Sequence, residues 1–203
     1  LLAELFELAR YSDASAPAVT RVVFTERDRE GREYVKALCR GAGLSIREDG
    51  IGNTFARWEG RDAGLPAVAT GSHIDAIPDA GLYDGCVGVL GGLEAIRWLQ
   101  ESGFRPARSV ELILFTSEEP TRFGIGCTGS RAMAGELSPD GLRGLRDAEG
   151  IGYDEAARAA GFSGDLEGVL VPGDRYAAFV ELHIEQGPLL ERAGLPIGVV
   201  TAI

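Results

Sequence analysis

No apolar run in the 203 residues approaches the roughly 18 needed to cross a bilayer, so a membrane-spanning helix is not expected. Positive charge is also scarce: 20 Lys and Arg stand against 31 Asp and Glu, a formal charge of −11. That sign is wrong for neutralising phosphates or resting on an anionic membrane, so neither nucleic acid nor a membrane is expected as a partner. Cysteine is limited to Cys39, Cys86 and Cys127, an odd number with no Cys-x-x-Cys pair. This argues against a disulfide framework and a cysteine zinc cage, and favours a reducing, cytoplasmic setting. The chain opens Leu-Leu with no Met, no basic segment and no cleavage site; no secretory signal is visible, and the start reads as trimmed. Histidine is rare as well, 2 in the whole chain, so the positions of those two matter.

What is present is globular in character, with 45% hydrophobic and 25% charged residues. Glycine, at 29 residues, is about twice its usual ~7% share. Leu1, Leu2, Leu5, Leu8 and Ala9 have helical spacing. A second helix is expected from Thr25, with Thr25 and Asp28 as N-cap and N3, to a stop at Gly41 and Gly43. Leu44–Glu48 and Asn53–Trp58 read as two strands meeting at a turn around Asp49-Gly50. Ala67–Gly71, Cys86–Leu99 and Val110–Thr116 then form a β-α-β unit, with parallel strands and a right-handed crossover. Helix and turn material fills 132–160. Ala177–Leu182 reads as a third buried strand and Pro196–Ile203 as a strand cut off at the chain end.

In an open α/β sheet the working residues lie beyond the carboxyl ends of the strands. Those ends hold Gly71-Ser72-His73-Ile74-Asp75, Ser117-Glu118-Glu119-Pro120 and Glu181-Leu182-His183-Ile184-Glu185-Gln186-Gly187, with Tyr83-Asp84-Gly85 just before a helix. Both histidines and a set of acids therefore collect at one edge. Imidazole and carboxylate are ligands of zinc and manganese; Asp84 has two oxygens with which to bridge two ions. If Glu119 ligates a cation, Glu118 is free to move protons. Two other readings compete. Gly124-Ile125-Gly126-Cys127-Thr128-Gly129 matches a dinucleotide fingerprint, with Glu149 downstream, but its first glycine falls well past the strand end where the tight turn belongs. A Cys-His hydrolase would use Cys86 or Cys127 with His183, yet no activating context marks either thiol. The glycines at 85, 88, 91 and 92 fit close backbone packing beside Asp84 better than phosphate binding.

At these segments the sequence resembles the two-metal amidohydrolases of the M20 peptidase superfamily, in the branch of N-carbamoyl-L-amino-acid hydrolases, β-ureidopropionase and allantoate amidohydrolase. The resemblance rests on the strings around His73, Asp84, Glu118-Glu119, Gly129-Ser130-Arg131-Ala132 and His183, in the family's order. His183 discriminates: the peptidase branch has an acid at this ligand and the ureido-hydrolysing branch has His. The resemblance implies a three-layer α/β/α domain of zinc-hydrolase type with a mainly parallel sheet. It implies two divalent ions, Zn or Mn with Co or Ni as further options. His73 and His183 would hold one, Asp84 would bridge and Glu119 would hold the other. Asp75 would orient His73, Glu118 would be the general base, and Gln186 would touch the substrate's ureido or acid group. The expected reaction is cleavage of the carbamoyl C–N bond of a small N-carbamoyl amino acid or ureido acid, with an aminoacylase or dipeptidase, or a non-catalytic binding protein, as alternatives. The family continues into a lid and dimerisation domain and then completes the catalytic domain. Residues 1–203 are accordingly expected to be the first segment of a discontinuous catalytic domain from a homodimer, inactive alone and carrying an aggregation-prone edge.

Overall fold

The computed structural model describes residues 1–201. Its frame is a five-stranded sheet in the order β2 (Ser45–Glu48), β3 (Thr54–Trp58), β6 (Val110–Phe115), β4 (Ala67–His73), β7 (Tyr176–Val180). β2 and β3 pair antiparallel, as do β3 and β6, whereas β4 lies parallel to both β6 and β7. Only β3 therefore runs against the rest, and the sheet is mixed but mainly parallel. A separate two-stranded ribbon pairs β1 (Val19–Arg21) with β5 (Ala76–Ala80).

The strand pattern dictates the layers. Successive residues of β6 face opposite ways: Leu112 and Leu114 join a cluster with Leu5 and Leu8 of α1 (Leu2–Leu8), Val35 and Cys39 of α2 (Glu26–Gly41), and Val89, Leu90, Leu93 and Ile96 of α3 (Cys86–Glu101). Ile113 instead joins Met133 of α4 (Thr128–Ala134), Leu142 of α5 (Pro139–Gly144), and Tyr153, Ala156 and Ala157 of α6 (Tyr153–Ala159). Helices cover both faces, which gives the three-layer α/β/α architecture. Each such fully buried aliphatic side chain contributes about 1.5–3 kcal/mol.

Local chemistry sets the element ends. The Thr25 side chain accepts a hydrogen bond from Asp28 N, closing α2 at its N-terminus as expected for a cap. Gly92 lets α3 seat closely on the sheet, since a Cβ there would meet Leu112 Cδ1 at 2.9 Å and Thr70 Cγ2 at 3.0 Å.

Two sequence expectations need correction. The 177–182 segment, read as buried, is exposed among the described residues: β7 is flanked by β4 alone and Val180 is 65% exposed, as befits the open edge also expected of this segment. Residues 196–201 form no strand, as no described strand pairs with them, and Ala202 and Ile203 lie outside the described residues. The β1–β5 ribbon is not marked by the sequence pattern, because β1 has only three residues and β5 contains Pro78. In the full-length protein Leu112→Ala should cost about 2–5 kcal/mol of stability, read from the shift of its denaturant unfolding midpoint.

Candidate metal centre

The parallel pairing of β4 with β6 and β7 brings three carboxyl strand ends side by side. His73, the last residue of β4, is only 2% exposed. Its Nδ1–H donates to the main-chain oxygen of Asp75 at 2.9 Å, which leaves Nε2 with the lone pair. That nitrogen is 3.7 Å from Asp84 Oδ1 and 3.5 Å from Glu118 Oε2. His183 repeats the arrangement: Nδ1–H donates to Ile184 O at 3.0 Å, and Nε2 lies 3.4 Å from the same Asp84 Oδ1. The two rings are stacked, with centroids 5.9 Å apart.

Asp84 Oδ1 is buried and has no hydrogen-bond partner among the described residues, while Oδ2 accepts from Gln186 Nε2 at 2.7 Å. A bare carboxylate oxygen facing two imidazole lone pairs is what a cation satisfies, and the donor set, two nitrogens and a carboxylate, suits a divalent metal. Ligand atoms of His73, Asp84 and His183 all lie within 4.8 Å of one another. So do those of a second group, His73, Glu118 and Glu119. The residues present thus fit a metal.

Asp75 fixes the second group. It is 1% exposed, and its Oδ1 and Oδ2 accept from the backbone amides of Glu118 at 3.3 Å and Glu119 at 3.0 Å. Ser117, with φ of 55°, turns the chain at the end of β6. Burial pushes the Asp75 carboxyl up to about 6. Burial, and then the like charge of Glu118, push Glu119 up to about 7. A cation beside Glu119 would offset that repulsion.

Set beside the expectations, Asp75 reaches His73 through its main chain; its carboxylate stands 3.7 Å from Nδ1 and grips the Glu118–Glu119 amides instead. Glu119 groups with His73 and Glu118, and Gln186 holds Asp84. Beside these groups opens a cavity of about 760 Å³, with Ser130 and Glu181 on its polar side and Ile113, Phe115, Met133 and Phe179 on its apolar side.

Residues 69–202 match the sequence profile of peptidase family M20/M25/M40. The chain belongs to this family. Within it, this M20 chain is 56% identical over 204 residues to the ureidoglycolate hydrolase of Oryza sativa subsp. japonica, covering 98% of the chain and 42% of that protein. It is 43% identical over 201 residues to the N-carbamoyl-L-amino acid amidohydrolase of Geobacillus stearothermophilus, covering 98% and 49%. The crystal structure of AtUAH in complex with glyoxylate superposes with a TM-score of 0.91 at 53% identity, over 95% of this chain and 47% of that one. The chain therefore spans about half the length of the curated relatives it matches. Its branch is that of ureidoglycolate hydrolases, N-carbamoyl-L-amino acid amidohydrolases and allantoate amidohydrolases.

The M20 site also contains residues that motif spacing does not single out. Ser72 Oγ donates to Glu181 Oε1 at 2.6 Å, tying β4 to the segment after β7. The Cys127 thiol donates to Glu118 Oε1 at 3.3 Å; burial and the neighbouring Glu118 push it up to about 11, so it stays protonated. Both residues stand inside strings read for other purposes. Gly85 has φ of 63°, and a Cβ there would collide with the His73 imidazole. Gly85→Ala, and separately Asp84→Ala, should weaken divalent-metal binding by the full-length protein by about tenfold or more. Metal titration checks this, with circular dichroism showing an unchanged fold.

Proposed function

We propose that the protein carrying this chain is a metal-dependent amidohydrolase that cleaves the carbamoyl C–N bond of a small ureido acid, with ureidoglycolate-type substrates first among them. The reading is carried by two histidines facing one unpartnered Asp84 oxygen, in a chain of the ureido-hydrolysing branch. His73, Asp84 and His183 would hold one ion, and Glu119 would contribute to a second. The metal when bound supplies polarisation of the carbamoyl carbonyl and acidification of water.

The remaining steps belong to side chains of this chain. Glu118 lines the cavity beside His73 Nε2, placed to take a proton from the attacking water and return it to the leaving nitrogen. The Cys127 thiol on its other oxygen restricts where that carboxylate points. Asp75 holds the Glu118 backbone, so the proton acceptor sits on a fixed main chain. One water hydrolyses one carbamoyl C–N bond and releases one nitrogen; the carbamate so formed breaks the other C–N bond by losing carbon dioxide without further water, so amine, ammonia and carbon dioxide result from one water. The same reading takes the protein to be cytoplasmic, a setting in which Cys39, Cys86 and Cys127 remain free thiols.

The test is ammonia release by the metal-loaded full-length protein from ureidoglycolate, allantoate and an N-carbamoyl amino acid, beside an N-acetyl amino acid. Turnover of a ureido acid is expected; cleavage of the N-acetyl compound alone would select an aminoacylase instead. Glu118→Gln should keep its metal and lose about 10²–10⁴-fold or more in kcat. Full activity of that variant would remove Glu118 from the proton-transfer role.

A further inference from the structure

Arg21 is 1% exposed and pairs with no carboxylate among the described residues. Its guanidinium is spent on carbonyls: Nε donates to Tyr11 O at 2.8 Å, Nη2 to Leu8 O at 2.6 Å and Nη1 to Ile74 O at 2.8 Å, with Cys86 Sγ at 3.7 Å. A buried cation without a counter-charge is costly unless its donors are satisfied, and here a route is built for it. Gly31 of α2 leaves the space, since a Cβ there would meet Arg21 Nε at 3.2 Å and Cδ at 3.3 Å. Ile74 stands between His73 and Asp75 and is 0% exposed, so water cannot replace Arg21 at its carbonyl.

We propose that Arg21, outside the stretch matched by the family profile, is a positioning residue that fixes the His73–Asp75 segment and so the geometry of the metal centre. The inference rests on the metal reading above. Three restraints converge on three consecutive residues. Arg21 holds Ile74 O, the His73 ring donates to Asp75 O, and the Asp75 carboxylate takes the Glu118 and Glu119 amides. Removing the first leaves a buried carbonyl without a donor and frees the segment that carries both others. The α1–β1 segment, remote from the strand ends in sequence, thereby acts on the centre.

The experiment is cobalt(II) titration of the metal-stripped full-length protein, followed by absorption, for the wild type, Arg21→Met, Arg21→Lys and Leu5→Ala. Leu5 is a buried residue of α1 in the same core cluster as Ile74, and its truncation loosens that packing without removing a hydrogen-bond donor. Arg21→Met is expected to raise the cobalt dissociation constant about tenfold or more. Arg21→Lys, which keeps the charge but cannot hold three carbonyls at once, should recover part of that loss, and Leu5→Ala should bind cobalt like the wild type. If Arg21→Met does not fold, Arg21→Lys against Leu5→Ala decides on the same readout. Unchanged affinity in the Arg21 variants, or an equal loss in Leu5→Ala, overturns the positioning role. A wild type that binds no cobalt overturns the metal reading, and the role of Arg21 with it.

Discussion

The centre depends first on the buried carboxyl of Asp75. Its two oxygens hold the amides of Glu118 and Glu119, and its main-chain oxygen holds the His73 ring. One residue thus ties the end of β4 to the turn after β6 and leaves His73 Nε2 as the free nitrogen. Burial works against its ionisation, pushing it up to about 6, while the Glu119 N–H and the nearby Arg32 favour the carboxylate. Two acids that repel each other are thereby kept adjacent, with Glu118 lining the cavity.

The fold makes this clamp reachable. Because β4 runs parallel to β6 and β7, His73, the 117–119 turn and the segment leading to His183 emerge at one edge. The close seating of α3 carries Asp84 to the same place, and Gly85, in a left-handed conformation, leaves room for the imidazole. Asp84 then meets both histidines with a single oxygen, while Gln186 holds the other. The polar groups share the cavity with an apolar wall of Ile113, Phe115, Met133 and Phe179, so a small polar ligand would be bound beside a hydrophobic surface.

Much of this is legible in the residues. The short apolar runs at 67–71 and 110–116 announce the parallel strands, Thr25 and Asp28 announce a helix start, and the scarcity of histidine directs attention to two strand ends. Motifs reach the branch of the family but do not single out ureidoglycolate hydrolases within it, since ligands common to a family do not encode the substrate. Periodicity also fails where an environment is set from elsewhere in the chain. The apolar 177–182 segment reads as buried, whereas among the described residues β4 alone flanks β7. The target of the Asp75 carboxylate lies 43 and 44 residues away along the chain, and that of Arg21 lies 53 away. Local spacing contains neither contact. A lone Arg in the apolar stretch Val19–Phe24 is nonetheless a readable sign, because a charge in such a run must find partners when it is buried.

The central claim is that the two histidines of the chain face one carboxylate in order to hold a metal. Its most direct measurement is metal stoichiometry by plasma mass spectrometry on the stripped and reloaded full-length protein, beside His73→Ala and His183→Ala. The account predicts bound zinc or manganese in the parent protein and loss of about one ion per chain in each variant. Equal metal content in all three folded proteins would contradict it, and would leave both histidines as structural residues.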